Sequence, residues 1–539
     1  MSLHNRFVLP IALFALGVLA GCGSSNPKVI PPPNGAFSNS SFNGTYVFSI
    51  SGTDNASVPI SIAGSLSADG SGHVSGGTVD FNDGQVAPIL GTAITGGTYN
   101  VGADGRGTAT LATTTPFGSS LVVDFVLSST SHGLITEFDG NASGSGTIDL
   151  QSAVTQAQLA GSYAFSLSGI DPGGNLPFAT LGSFTLDSNG NITSGVEDFD
   201  DTGFAYTSFG LTGTLVSQTS GAPYVATLTA TNSSDVAVFG TMTFDVYPVD
   251  ATHLKFVEAD TQSFMLLSGD AYTQTGASIP TTATTYVFTM GGGVANSGPI
   301  TVGGVLPIDG QGNITGGAVD ENISGTTTST PLSFGGTYGP NGSTVGGRTL
   351  FSLTGFQIAG DFIVYPTANA GLLMIEMDGG GSGFLLGSAL PQTSTTFAAS
   401  EGYGMNLTGV NTNSEEDDIA EFTTTSSGFS GIVDFNDQGA TTPNQSLTGT
   451  YTADTPPSGR YDFLSNGFNG ELYAVDSSTA LFVELDSNQV GIGTIQLQSA
   501  PTSQAAASRL LVPTRTVLPR SAKHLNTALW RRGVRVPQK

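Results

Sequence analysis

Apolar positions in this chain recur at every second residue in short runs. Tyr46, Phe48 and Ile50 alternate with small or polar residues, as do Ile60 and Ile62 leading to Leu66, and later Leu121, Val123, Phe125 and Leu127. Alternation of period two places one face of each run on a core and the other on a polar surface, which predicts β-strands. Between the runs stand Asp69-Gly70-Ser71-Gly72, Ala103-Asp104-Gly105 and Asp139-Gly140-Asn141. Asp-Gly pairs supply the positive φ angles of tight hairpins. No stretch is long and helical enough for a parallel crossover, so the strands form an antiparallel meander.

The pattern then repeats. Gly44-Thr-Tyr46-Val-Phe-Ser-Ile-Ser-Gly52 returns as Gly161-Ser-Tyr163-Ala-Phe-Ser-Leu-Ser-Gly169, then as Thr285-Tyr286-Val-Phe-Thr-Met and Gly402-Tyr403-Gly-Met-Asn-Leu. The tyrosines are 117, 123 and 117 residues apart. Asp80, Asp198, Asp320 and Asp434 recur later in each unit. The first and last units close on Gly146-Thr-Ile-Asp-Leu-Gln-Ser-Ala153 and Gly493-Thr-Ile-Gln-Leu-Gln-Ser-Ala500. A period of this length is domain-sized rather than a solenoid repeat. The expectation is an all-β chain of four tandem antiparallel meander domains, 42–153, 159–271, 284–390 and 397–500, of about eight strands each. Such a meander removes its edges by closing into a barrel, with a β-sandwich as the alternative. The size and the glycine–aromatic opening are faintly similar to avidin and lipocalin barrels, with Tyr where those families carry Trp.

Composition sharpens this. Glycine contributes 75 of 539 residues and charged residues only 10%, as in a turn-rich β protein. All 41 acids lie between residues 29 and 500, against four bases (Arg106, Lys255, Arg348 and Arg460), for a net −37. Such a body repels nucleic acid and anionic headgroups. Residues 501–539 are the opposite: eight bases, no acid and the only tryptophan, Trp530, in a basic tail expected to be disordered.

Candidate chemistry sits late in each unit. A Glu-x-Asp pair recurs as Glu137/Asp139, Glu258/Asp260, Glu376/Asp378 and Glu484/Asp486, and the preceding strand carries Asp124, Asp245, Asp361 or Glu471. Symmetric hairpins would set Asp124 opposite Glu137 and Glu471 opposite Glu484. The same construction brings Arg106 to Asp124, Arg348 to Asp361 and Arg460 to Glu471. Three units would then hold a lateral row of arginine, acid and acid, in which the guanidinium offsets two opposed carboxylates. Such a row is either a register-fixing ion pair or a site for a cation or hydroxylated ligand. The second unit lacks the arginine, so Asp245 and Glu258 are its candidate metal pair.

Other motifs point to structure. Asp187-Ser-Asn189-Gly-Asn191 has calcium-loop oxygens at alternate positions, with Asp198 at the twelfth. Yet Ile192 stands where an EF-hand needs Gly, and no helices flank the loop. Turn chemistry explains it, leaving weak calcium binding by surface acids and no cofactor. His132 and His253 fall in matching turns, where solvated side chains are expected. No nucleophile–base or phosphate-cradling motif stands out, so the chain is read as non-catalytic.

The N-terminus states where the protein lives. Arg6 precedes an apolar stretch from Phe7 to Ala20 that is too short to span a bilayer, a secretory signal pattern over 1–21. It ends Leu19-Ala20-Gly21-Cys22, with the only cysteine of the chain. This ending resembles the lipobox of bacterial lipoproteins. The resemblance implies cleavage before Cys22, lipidation of its sulfur and acylation of the new amino group. Residues 22–41 would then form a lipidated tether. By the same analogy, Gly23 in place of aspartate implies the outer membrane or cell surface rather than the inner membrane. The membrane, through its anchor, is the expected partner, together with an unidentified envelope or extracellular one. The functions left open are a binding or spacer module, a lipocalin-like carrier with a ligand in each barrel, and a carbohydrate-active enzyme using paired carboxylates.

Overall fold

The computed structural model describes residues 36–499, except for 85, 171–176, 202–203, 219–222, 233–236, 261–265, 295–297, 329, 357–359, 370, 379–382, 412–413 and 456–457. The signal segment, Cys22 and the basic tail lie outside the described residues. Within them the chain folds as four tandem closed antiparallel barrels of eight strands. Among the described residues no helix is long and apolar enough to cross a membrane.

In the first barrel the strand Asn43–Asp54 pairs with Pro59–Asp69 on one side and closes against Ala142–Leu150 on the other. His73–Asp83 follows and continues to a fourth strand broken into Ile89–Ile94 and Gly96–Val101, which both pair with it. Arg106–Thr115, Gly118–Ser129 and His132–Glu137 complete the ring. The other three repeat this order, and the third also breaks its fourth strand, into Thr326–Thr327 and Leu332–Gly339.

The period-two pattern is realised as written. Phe48, Ile62, Leu111, Val123, Phe125 and Ile135 turn inward to one core, with matching cores in the other barrels. The repeated tyrosine plugs one end of each barrel. Tyr46 donates its hydroxyl to Thr130 O at 2.7 Å and Tyr163 to Ala251 O at 2.8 Å, across the barrel floor. Phe37, within the expected tether, already packs into the first core beside Phe42. Asp69, Asp187 and Asp309 cap their turns by accepting backbone N–H groups of residues two and four further on. Gly70, Gly190 and Gly310 sit there at φ +76, +87 and +76°, a conformation that glycine adopts without strain.

The outward faces of the barrels are not all polar. Val47 and Ala63 of the first meet Tyr247, Val249 and Val257 of the second. A larger seam joins the second, third and fourth. Ile419 of the fourth packs on Val126 and Leu134 of the first. Each barrel thus touches the next, and the last touches the first. The four domains close into a ring.

Candidate functional site

The recurrent aspartate explains the ring. Asp80, Asp198, Asp320 and Asp434 sit on the third strand of each barrel between two inward residues, so each points out toward the following barrel. Tyr247 of the second barrel donates to Asp80 at 2.6 Å, and Tyr365 of the third donates to Asp198 at 2.6 Å. Tyr473 of the fourth donates to Asp320. Arg348 adds a two-pronged contact to Asp198, with Nε at 2.8 Å and Nη2 at 2.7 Å, and Arg460 grips Asp320 with Nε at 2.7 Å. At the closing junction Arg106 Nη1 reaches Asp434 at 2.8 Å. Burial opposes the charge of these arginines, but Asp434, Asp198 and Asp320 outweigh it and hold all three above their ordinary pKa.

Two more contacts repeat around the ring. Two residues after the aspartate, Asn82 donates to Glu258 O at 2.9 Å, Asn322 to Glu484 O at 2.9 Å and Asn436 to Glu137 O at 2.7 Å. The second barrel has Asp200 there, whose charge, after burial, helps push Glu376 up to about 9. At the end of each barrel a glutamine reaches carbonyls of the next. Gln151 bonds Pro248 O, Gln274 bonds Gly346 O and Pro366 O, Gln392 bonds Ser458 O and Ala474 O, and Gln498 bonds Asp104 O and Leu127 O. Compared with known proteins, the chain matches no family model and no curated sequence.

The expected lateral rows are not formed. Glu137 pairs with Val123, while Asp124 pairs with Thr136; Glu484 pairs with Gly470, while Glu471 pairs with Val483. In the first barrel the register shifts between Leu127 and Ser129, a bulge that slips the hairpin by one residue. A slip of one moves a side chain to the other face of the sheet. Asp124, Asp245 and Glu471 therefore face outward, to the junctions. Glu137, Glu258, Glu376 and Glu484 face inward, at the barrel end opposite the tyrosine. Asp245 and Glu258 lie on opposite faces and cannot share an ion. Among the described residues no three His, Cys, Asp or Glu side chains are placed to hold a metal ion. Burial pushes Glu137 up to about 11 and Glu258 and Glu484 well above the carboxylate range, with both carboxyl oxygens of the latter two lacking a hydrogen-bond partner.

The arginines keep only part of their expected company. Arg106 lies opposite Val126, two residues along the outer face from Asp124; Arg460 lies opposite Tyr473 and pairs with Glu471 at 2.8 Å. Arg348 leaves Asp361 to Ser352, whose hydroxyl donates to it at 2.7 Å. In register the third barrel's counterpart of Asp124 is Ile363, an apolar seam residue. His132 and His253 are buried, not solvated, and bond Asp149 and Asp270 at 2.7 Å each. Lys255, buried at the first junction, spans to Asp149 of the first barrel at 3.4 Å and to Asp270 of its own at 3.5 Å.

One junction differs from the rest. The position that carries Tyr247, Tyr365 and Tyr473 in the later barrels is Val126 in the first, so Asp434 receives no phenol. Beside it opens a cleft of about 420 Å³ lined by Asp104, Arg106, Asp124, Phe138, Asp434 and Asn444, among others. Arg106 is fixed there on three sides, with Nε on Asp104 at 3.1 Å, Nη1 on Asp434 and Nη2 on Asn444 Oδ1 at 3.0 Å. Asp124 is 5% exposed and its Oδ1 has no partner. Burial first, and then the charge of Asp434, push its pKa up to about 7. The expected pair Arg106 and Asp124 is thus brought together, in a cleft between domains far apart in sequence.

Proposed function

We propose that the protein is a non-catalytic, lipid-anchored envelope or cell-surface lipoprotein whose four-barrel ring serves as a binding or spacer module. The observation that carries this reading is the repeated junction: matching ties hold all four domains as one body, with a polar cleft at the closure. Packed interiors count against a carrier in each barrel, because Tyr46, Phe48, Phe125 and their counterparts occupy the space a ligand would need. A glycosidase would need two carboxyls flanking one bond, whereas the recurrent glutamates point into apolar cores. Anchoring rests on the lipobox resemblance at Cys22.

Labelled palmitate fed to cells producing the chain tests the anchor. Label should appear on the wild type and vanish with Cys22→Ser, and the variant should leave the membrane fraction. A wild-type chain that is unlabelled and released in soluble form would remove the anchored reading.

A further inference from the structure

We infer that the cleft between the fourth and first barrels binds an uncharged sugar ring through its hydroxyl groups. This inference rests on reading the ring as an envelope binding module, and it names the ligand class. The space lies where Arg106, Asp124 and Phe138 of the first barrel face Asp434, Pro443 and Asn444 of the fourth, at the junction whose aspartate receives no tyrosine hydroxyl. Its volume falls in the range of small-molecule clefts, and its place between two domains is where such clefts are common.

The lining chooses the chemistry. Asp124 Oδ1 is buried without a partner, and a buried acceptor left so is costly unless a donor arrives. A ligand hydroxyl supplies that donor. Arg106 uses one N–H on each of Asp104, Asp434 and Asn444, which leaves two of its five to donate to a ligand oxygen. Phe138 and Pro443 add an apolar wall for the C–H face of a ring. Three carboxyls around one guanidinium disfavour phosphate, sulfate or carboxylate ligands. A fixed donor, an open acceptor and an apolar wall together suit a polyhydroxylated ring.

The test is calorimetric titration of the mature full-length protein in detergent with methyl glucoside, methyl galactoside, N-acetylglucosamine and cellobiose, with putrescine as the cationic comparator. At least one sugar should bind saturably. Its affinity should fall about tenfold or more in Asp124→Ala, and it should also weaken in Phe138→Ala, which removes the apolar wall. Glu471→Ala, at a junction already filled by tyrosine, should leave sugar binding unchanged. Absence of sugar binding at millimolar concentration, binding indifferent to Asp124→Ala and Phe138→Ala, or binding of putrescine alone would each overturn the assignment. A labelled, membrane-bound protein that binds no sugar sinks this inference alone. A soluble, unlabelled protein that binds sugar sinks only the anchor.

Discussion

The junction between the third and fourth barrels and the one that closes the ring are built on the same aspartate and arginine positions but surround them differently. In the first, Tyr473 and Arg460 together enclose Asp320, which is fully buried. In the second, Arg106 and the Asn444 N–H meet Asp434, Val126 stands in the tyrosine position, and a cleft opens beside the aspartate. The lesson is that one recurrent aspartate is satisfied by different donors, a phenol and a guanidinium at one junction and a guanidinium and a backbone N–H at the other. The ring supplies the rigidity at both junctions.

The comparison can be broken most sharply at the arginines. Arg460→Met should destabilise the protein by about 3–5 kcal/mol, since it leaves the fully buried Asp320 with the Tyr473 hydroxyl but without its countercharge. Arg106→Met should cost less, about 1–3 kcal/mol, because Asn444 N–H still donates to Asp434 and the open cleft admits water. Denaturant midpoints measured side by side would decide it, and equal losses would mean the two junctions are energetically alike. Asn322→Ala removes a side-chain amide that serves Glu484 O, Asp486 O and Gln489 O at 2.9, 3.1 and 2.7 Å. A loss of about 1–3 kcal/mol is expected from the unsatisfied carbonyls. An unchanged midpoint would show that these bonds are replaceable by water. Tyr473→Phe is milder, about 1–2 kcal/mol, as Arg460 still covers Asp320.

The smallest effect belongs to the first junction, which has no arginine. There Tyr247 and the Asp80–Asp245 pair meet, and burial followed by the charge of Asp80 pushes Asp245 up to about 7. An aspartate in the unfolded chain titrates at about 3.9. Between these values the folded state holds a proton that the unfolded state has released, so stability falls as pH rises through the interval. Melting temperature should therefore decline from pH 5 to pH 8 more steeply in the wild type than in Asp245→Asn. Parallel declines would place the pH dependence elsewhere, for example in the inward glutamates.

Much of this was legible in the chain. Alternating Tyr46, Phe48 and Ile50, the Asp-Gly turns and the spacing of the repeated tyrosines determine four antiparallel β domains, because strand faces and hairpins are set by neighbours in sequence. The recurrence of Asp80, Asp198, Asp320 and Asp434 was also visible, as was the closing glutamine at 151 and 498. Their common task was not, since each finds its partner in another domain. Register was the second gap: a bulge near Ser128 slips one hairpin by a single residue and turns Asp124 out and Glu137 in. Local pattern cannot reveal such a slip, because either register keeps the turn residues in the turn. Only the tertiary structure decided that Arg106 would meet Asp434 and that a cleft would open beside them. That contact exists because the fourth barrel returns to the first, and closure of the ring depends on all four junction geometries together.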